Sequence, residues 1–383
     1  MSPIRRAERS CAIILAVQRR RVGLVGFFGW GNYGDELFLR IWERELARVG
    51  KPDVVHQTIR SPYFIDPPEK VASRYDAFVI GGGDLVIPWS VSKLYWRQEW
   101  LSRPVYIAGV GVPTWGELKN PVIEHMRQFF RHPNVRYIST RDPESAAWIN
   151  QFLAPRIPVQ WAPDLVFALD LPPATKPEGA PILSVVTRRR RGGPDDYTQV
   201  RRLCERAKES GYRIRQIVLA TGSTGKADLE VADDLVVPGK ELIYSEDLDE
   251  ITRAIGESTA LASMKFHGTV VATAYGVPSI VLSPTDKSRN LYRMIGQERL
   301  LSHLEHTDLP EKLEEVSTPI PASTGADLKD RVRVMIDTLI SELAEVPVQR
   351  RGRRLLPDMW HRVSLSGSVI RAAKRVTRAS PPR

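Results

Sequence analysis

Cysteine is almost missing from this chain of 383 residues, which carries only Cys11 and Cys204. Two isolated thiols exclude a disulfide framework and a zinc-ligand cluster, and they point to an intracellular protein. Long apolar runs are missing as well. The early run "CAIILAV" has seven residues, against about 20 needed to cross a bilayer. It is followed by "QRRR" without a small-residue cleavage site, so it does not read as a signal peptide. Nothing spells a resident cofactor site, and a divalent metal requirement stays open.

Positive charge is also lacking where a nucleic-acid binder needs it. The net charge is +10, but residues 346–383 hold ten Lys or Arg against Asp358 alone, and residues 1–21 hold six Arg against Glu8. The remainder, residues 22–345, is therefore net −4. No nucleic-acid partner is expected from such a body. The basic ends read either as solvated tails or as segments that lean on anionic lipid. Leu355, Leu356, Met359, Trp360 and Ile370 are interleaved with the C-terminal charges and suit the second reading.

What is present in abundance is alternation. Apolar content of 42% over 383 residues is enough for two cores, since single cores stop growing near roughly 250–300 residues. In the first half, "RVGLVGF", "DVVHQTI", "DAFVIGGG", "PVYIAGVG" and "VRYIST" read as strands, with helices at residues 35–49 and 142–153. Phe38, Trp42, Leu46 and Val49 share one helical face, and Asp142 followed by Pro143 reads as a helix start. The proline-rich segment 169–181 is a linker, and a second alternation follows from "PILSVVT" to "PSIVLS". A last amphipathic helix, residues 326–346, closes the folded part. The expected fold is α/β, with two Rossmann-like domains at 22–168 and 182–345 facing a cleft. Residues 1–21 are a basic N-terminal extension and residues 346–383 a basic tail.

Gly29, Gly31 and Gly34 in "VGLVGFFGWGNYGDELF" spell GxGxxG, yet the first helical residues are Asp35 and Glu36. Two carboxylates at a helix start complement its dipole and repel a diphosphate. The acid expected at the end of the second strand is missing too, with Arg60 there instead. Asp35 and Asn32 suit hydroxyl groups such as a sugar's; alternatively they are a helix cap and a turn residue. Further glycines, Gly81, Gly82, Gly83, Gly109 and Gly111, end two more strands and mark the rim of one crevice.

In the second half, Lys265 and His267 lie two residues apart where a strand meets a helix, a place for an anion. The run Arg188 to Arg191 ends another strand, and at least one of its guanidinium groups is expected to face the crevice. Asp286, Lys287 and Arg289 follow the last strand. A small, doubly charged anion such as a phosphorylated acid fits this side.

The segments "GFFGWGNYGDELFL", "DAFVIGGGDLVIP", "YIAGVGVP", "YISTRDPESAAWI", "WAPDLVFAL" and "SMKFHGTVVATAYGVPSIVLSPTDKSRN" stand in an order and spacing that resemble the polysaccharide pyruvyl transferase family, over about residues 22–296. The resemblance implies a fold like that of B-type glycosyltransferases, phosphoenolpyruvate as donor, and a sugar hydroxyl pair of a glycan or lipid-linked precursor as acceptor. It implies donor contacts from Arg188, Lys265 and His267, with Lys265 standing where the family usually carries Arg, and Lys287 is added to the donor side by its place after the last strand. On our own reading of the first-half strand ends, the acceptor side comprises Asn32, Gly34, Asp35, Gly82, Gly83, Asp84 and Arg141, and the mechanism expected for such a transfer uses His267 as acid and Asp35 as base. The implied setting is cytoplasmic, with the basic ends leaning on the inner face of the cell membrane. Two rivals remain: a glycosyltransferase of the same fold using a nucleotide sugar, and a noncatalytic glycan- or membrane-binding protein.

Overall fold

The computed structural model describes residues 19–349 except 57–60, 177 and 190–195. The run containing Cys11, Arg60, Arg190, Arg191 and the basic tail from Arg350 onward lie outside the described residues, as does most of the N-terminal extension.

Two parallel sheets carry the chain. The first has the order β2-β1-β3-β4-β5-β6, from β1 (Arg20–Val25), β2 (Gly50–Val54), β3 (Ala77–Gly83), β4 (Val105–Val110), β5 (Val135–Thr140) and β6 (Gln160–Trp161). The second has the order β11-β10-β7-β8-β9, from β7 (Ile182–Val186), β8 (Arg213–Ile217), β9 (Glu241–Ile243), β10 (Ala260–Ser263) and β11 (Ser279–Val281). Every residue of β3, β4 and β7 is buried. Strands covered on both faces read as unbroken apolar runs rather than alternating ones.

Counting helices of nine residues or more, α1 (Tyr33–Leu46), α2 (Asn120–Phe130) and α3 (Pro143–Phe152) belong to the first half. The second holds α4 (Thr198–Glu209), α5 (Gly222–Glu230), α6 (Leu248–Gly256), α7 (Phe266–Ala274), α8 (Asp286–Met294) and α9 (Ala322–Ala344). Helix α1 buries Phe38, Trp42 and Leu46 on the expected face. Helix α3 starts as its sequence predicts, Asp142 accepting the Ser145 N–H at 2.7 Å with Pro143 in the first turn.

Three expectations need correction. The second strand, expected at residues 53–59, runs from Gly50 to Val54, because pairing with β1 aligns Arg20 with Gly50. A Cβ on Gly50 would press on the Arg20 carbonyl, so only glycine allows this approach. The basic ends are also partly knitted into the body. Arg20 begins β1 and donates to the carbonyls of Val49 (2.8 Å) and Val346 (2.7 Å), and the Gln349 N–H reaches Asp76 (3.0 Å). Helix α9 starts at Ala322 rather than 326 and does more than close the second half. It packs on α1 and on the turn Leu165–Ala168, with Arg333 bound to Glu45 (2.5 Å) and to the Ala168 carbonyl (2.9 Å). One hydrophobic cluster consequently runs through both halves, while a second fills the other face of the first sheet.

Candidate active site

Each sheet reverses its strand order once, between β1 and β3 in the first and between β7 and β10 in the second. Chain segments leaving two such strands diverge, which opens a crevice at their carboxyl ends. The two crevices face each other across a cavity of about 1570 Å³. Asn32, Gly34 and Asp35 line it after β1, Gly83 and Asp84 after β3, Arg188 after β7, and Lys265 and His267 after β10.

The glycine loop is closed by its own helix. Glu36 Oε1 accepts the N–H groups of both Gly29 and Gly31 at 2.9 Å. The donors that would cradle a pyrophosphate in a dinucleotide site are therefore occupied, as the acids at the helix start suggest. Gly29 and Gly31 adopt positive φ of 81° and 77°, where a side chain would be strained. The loop is also tied to the second half: the Gly31 carbonyl accepts from Thr221 N (2.8 Å), and Thr224 Oγ1 donates to the Trp30 carbonyl (2.6 Å).

Asp35 is buried at 6% exposure and receives the Asn32 side-chain amide at 2.5 Å. Burial pushes its carboxyl up to about 7, against the opposing pull of Lys287 and Asn32. His267 sits on the first turn of α7, directly over Gly34. A Cβ on Gly34 would collide with the imidazole, meeting Nδ1 first. The rings of Phe38 and Phe266 flank the imidazole edge to face, at 5.0 and 5.2 Å between centroids. Its Nε2 lies 3.8 Å from Asp164 Oδ2, an ion-pair distance and too long for a hydrogen bond. Burial pulls the imidazole below its ordinary value, and Asp164 only partly offsets this.

The cations fall into two groups. Lys265 is bound by Asp228 and by the Leu219 carbonyl (2.7 Å). Burial lowers its pKa, against the pull of Asp228. Arg188 stands beside it as a second positive charge, while Arg189 turns outward to Glu230. Lys287, on the first turn of α8, reaches Asp84 Oδ2 at 3.1 Å, and Arg141 binds the other oxygen of the same carboxylate. Burial alone would raise Asp84, but Arg141 and Lys287 outweigh it and hold it near 2. The guanidinium of Arg141 fits because Gly111 has no Cβ to meet it. Asp84 and Arg141, expected on the acceptor, thus form with Lys287 an ion-pair cluster that joins the halves.

Gly82 is not at the cavity wall: at φ 89° it packs against the Phe38 ring. Four features escaped the sequence analysis. Asp164, which stands 3.8 Å from His267, and Asp228, which binds Lys265, come from distant segments. Phe27, Trp30, Tyr63, Phe64 and Tyr95 form an aromatic wall on the first-half side. The Asp-x-Asp of residues 247–249 is a helix cap, Asp247 accepting the Asp249 N–H at 2.8 Å while Asp249 pairs with Arg40. For Asp164 a signal existed, a lone acid inside the otherwise apolar "WAPDLVFAL"; for Asp228 there was none.

Two Rossmann-like sheets meet at their carboxyl edges, with a buried carboxyl, an imidazole and fixed cations in the gap, which defines a two-domain α/β protein with a candidate site in its central cleft. The family model of polysaccharide pyruvyl transferases matches residues 32–286, and the chain belongs to that family, a family of transferases. No curated protein matches the sequence significantly. Among solved structures, UDP-N-acetylglucosamine 2-epimerase from Rickettsia bellii is similar at TM-score 0.54 and 11% identity, over 85% of this chain and 97% of that one. The UDP-GlcNAc 2-epimerase from Neisseria meningitidis, solved bound to UDP-GlcNAc, gives 0.52 and 12%, over 84% and 99%. At these identities the likeness is one of fold.

Proposed function

We propose that the protein transfers the enolpyruvyl group of phosphoenolpyruvate to two hydroxyls of a sugar, forming a pyruvate ketal and releasing phosphate. One observation carries this reading: the His267 imidazole lies over Gly34, the residue before Asp35, in a cavity that Arg188, Lys265, Lys287 and several aromatic rings line together. The cationic wall of Arg188, Lys265 and Lys287 suits the phosphate and carboxylate of the donor. The wall of Phe27, Trp30, Tyr63, Phe64 and Tyr95 suits the apolar face of a sugar in a glycan or lipid-linked acceptor.

In this mechanism His267 gives a proton to the donor methylene, so that C2 becomes cationic. The first sugar hydroxyl adds to C2, and its proton passes to Asp35. The C2–O bond to phosphate then breaks, and the second hydroxyl adds to C2. The two hydroxyl protons balance the one gained by the methylene and the one leaving with phosphate. Burial lowers the proton affinity of the imidazole, and the donor's negative charge beside it raises that affinity again. Asp35 titrates near neutrality, where a general base is most effective.

The test is phosphate release from phosphoenolpyruvate and a glycan acceptor. His267→Ala is expected to lose about 10²- to 10⁴-fold in kcat, the usual contribution of a positioned acid or base. Undiminished release from that variant overturns the assignment. The nucleotide-sugar rival takes its support from the epimerase-like fold. Thermal stabilisation by UDP-GlcNAc, with none by phosphoenolpyruvate, would decide in its favour.

A further inference from the structure

Two buried polar atoms, one from each half, face each other without a hydrogen-bond partner: Nε2 of His267 and Oδ2 of Asp164. Their side chains are 11% and 3% exposed, and the atoms are 3.8 Å apart. A buried polar atom left unpaired is costly, so two that face one another indicate a contact built to form, while Arg141 Nη1, also unpaired, stands 3.9 Å from the same oxygen and competes for it. The Asp164 carboxylate is not free to turn away, because its Oδ1 accepts the Val166 N–H at 3.0 Å. The imidazole is likewise confined, with Phe38 and Phe266 at its edges and Nδ1 lying over Gly34, which lines the cavity. Closure by about 1 Å brings the pair to hydrogen-bond length.

We infer that Asp164 is the positioning residue of His267: it holds Nε2–H and thereby assigns proton exchange in the cleft to Nδ1. The arrangement spans the two halves, since Asp164 follows β6 of the first sheet and His267 follows β10 of the second. The working tautomer therefore depends on the halves being together. Other charges face the imidazole. Arg141 lies 3.9 Å from the same Asp164 oxygen, Lys287 stands over the Phe266 ring, Asp84 interacts with the imidazole's charge, and Asp35 follows Gly34 in the chain. Arg141 and Lys287 disfavour a second proton on the ring, whereas Asp164 favours it. Fixing one ring nitrogen with a carboxylate so that the other does the chemistry is a general device for histidine.

This inference takes from the proposed function only that His267 exchanges a proton with the substrate. Its first test needs no turnover: ¹⁵N-histidine spectra of the full chain, with the His267 signal identified by its loss in His267→Gln. In the wild type the neutral ring is expected as the Nε2–H tautomer. In Asp164→Asn, which keeps an oxygen for the Val166 N–H, the titration midpoint is expected to fall by at least about half a pH unit. An Nδ1–H tautomer in the wild type, or an unmoved midpoint, overturns the inference. If Asp164→Asn does not fold, the wild-type tautomer decides alone. In the phosphate-release assay, kcat of Asp164→Asn should fall on the order of 10²-fold, with the alkaline limb of the pH profile moved to lower pH. A uniform loss with that limb unmoved would mean a structural role and sink the idea. A wild type that shows the expected tautomer but releases no phosphate would refute the proposed function and leave the positioning intact.

Discussion

Asp35 shows how a single residue trades stability against chemistry. Its carboxyl is held up to about 7 by burial, against an ordinary value of 3.8. The unfolded chain therefore gives up this proton first. As pH rises from about 4 to about 7 the folded state loses stability by the linkage of the two proton affinities, and above that range the penalty is constant. Asp35→Asn does not titrate and escapes it. That variant should melt at a higher temperature than the wild type at pH 8, and the difference should vanish near pH 4. Its kcat should fall about 10²- to 10⁴-fold, and the wild-type rate should climb as pH passes through about 7. Equal melting temperatures at both pH values would show that the carboxyl is not held in this way. From sequence Asp35 was expected either to meet a hydroxyl or to cap a helix; its elevated pKa was not legible, because burial is a property of the folded chain.

At the scale of elements, the loop between β1 and α1 shows what a motif means in context. The spacing of Gly29, Gly31 and Gly34 matches a dinucleotide loop, and the two acids after it argue otherwise. The structure adds the mechanism, since Glu36 turns back to occupy the loop's own N–H groups. Glu36→Ala should speed hydrogen exchange at Gly29 and Gly31 and raise KM for the acceptor, with a stability loss of about 1 kcal/mol. Unchanged exchange at both amides would show that the clasp does not hold the loop. Gly34 has a different reason from its neighbours, making room for His267 rather than for a positive φ. Sequence reasoning found β3, β4, β5 and β7 because buried strands are continuous apolar runs. It missed β6 and β9, whose residues include Gln160 and Glu241, because short edge strands take their pairing from the neighbouring strand rather than from their own pattern.

For the whole molecule, charge is divided between a body of net −4 and basic ends. No helix among the described residues is long and apolar enough to cross a membrane. We propose that residues 350–383 hold the enzyme at an anionic membrane face, near a lipid-linked acceptor. The full chain should sediment with phosphatidylserine vesicles at 0.1 M salt. Binding should be lost at about 1 M salt, where the screening length shrinks to roughly 3 Å. A chain ending at residue 349 should stay in the supernatant and keep its kcat on a water-soluble acceptor. Vesicle binding that survives this truncation would place the contact elsewhere. The cross-cleft bonds of Gly31 with Thr221 and of Asp84 with Lys287 belong to this scale too, because they join loops from two separate sheets.

The amino-acid sequence by itself determined that this is an α/β chain with two sheets, that its first glycine loop is unsuited to a diphosphate, and that Lys265 and His267 stand at a strand end. Those features follow from periodicity, propensity and charge within one element, which are local. Only the tertiary structure decided that Arg188 rather than Arg189 lines the cleft, that Asp84 is claimed by Arg141 and Lys287, and that Asp164 faces His267. Each depends on how one sheet edge is placed against another, and that placement is set by packing of α1, α7 and α9 through a shared core, which no local pattern encodes.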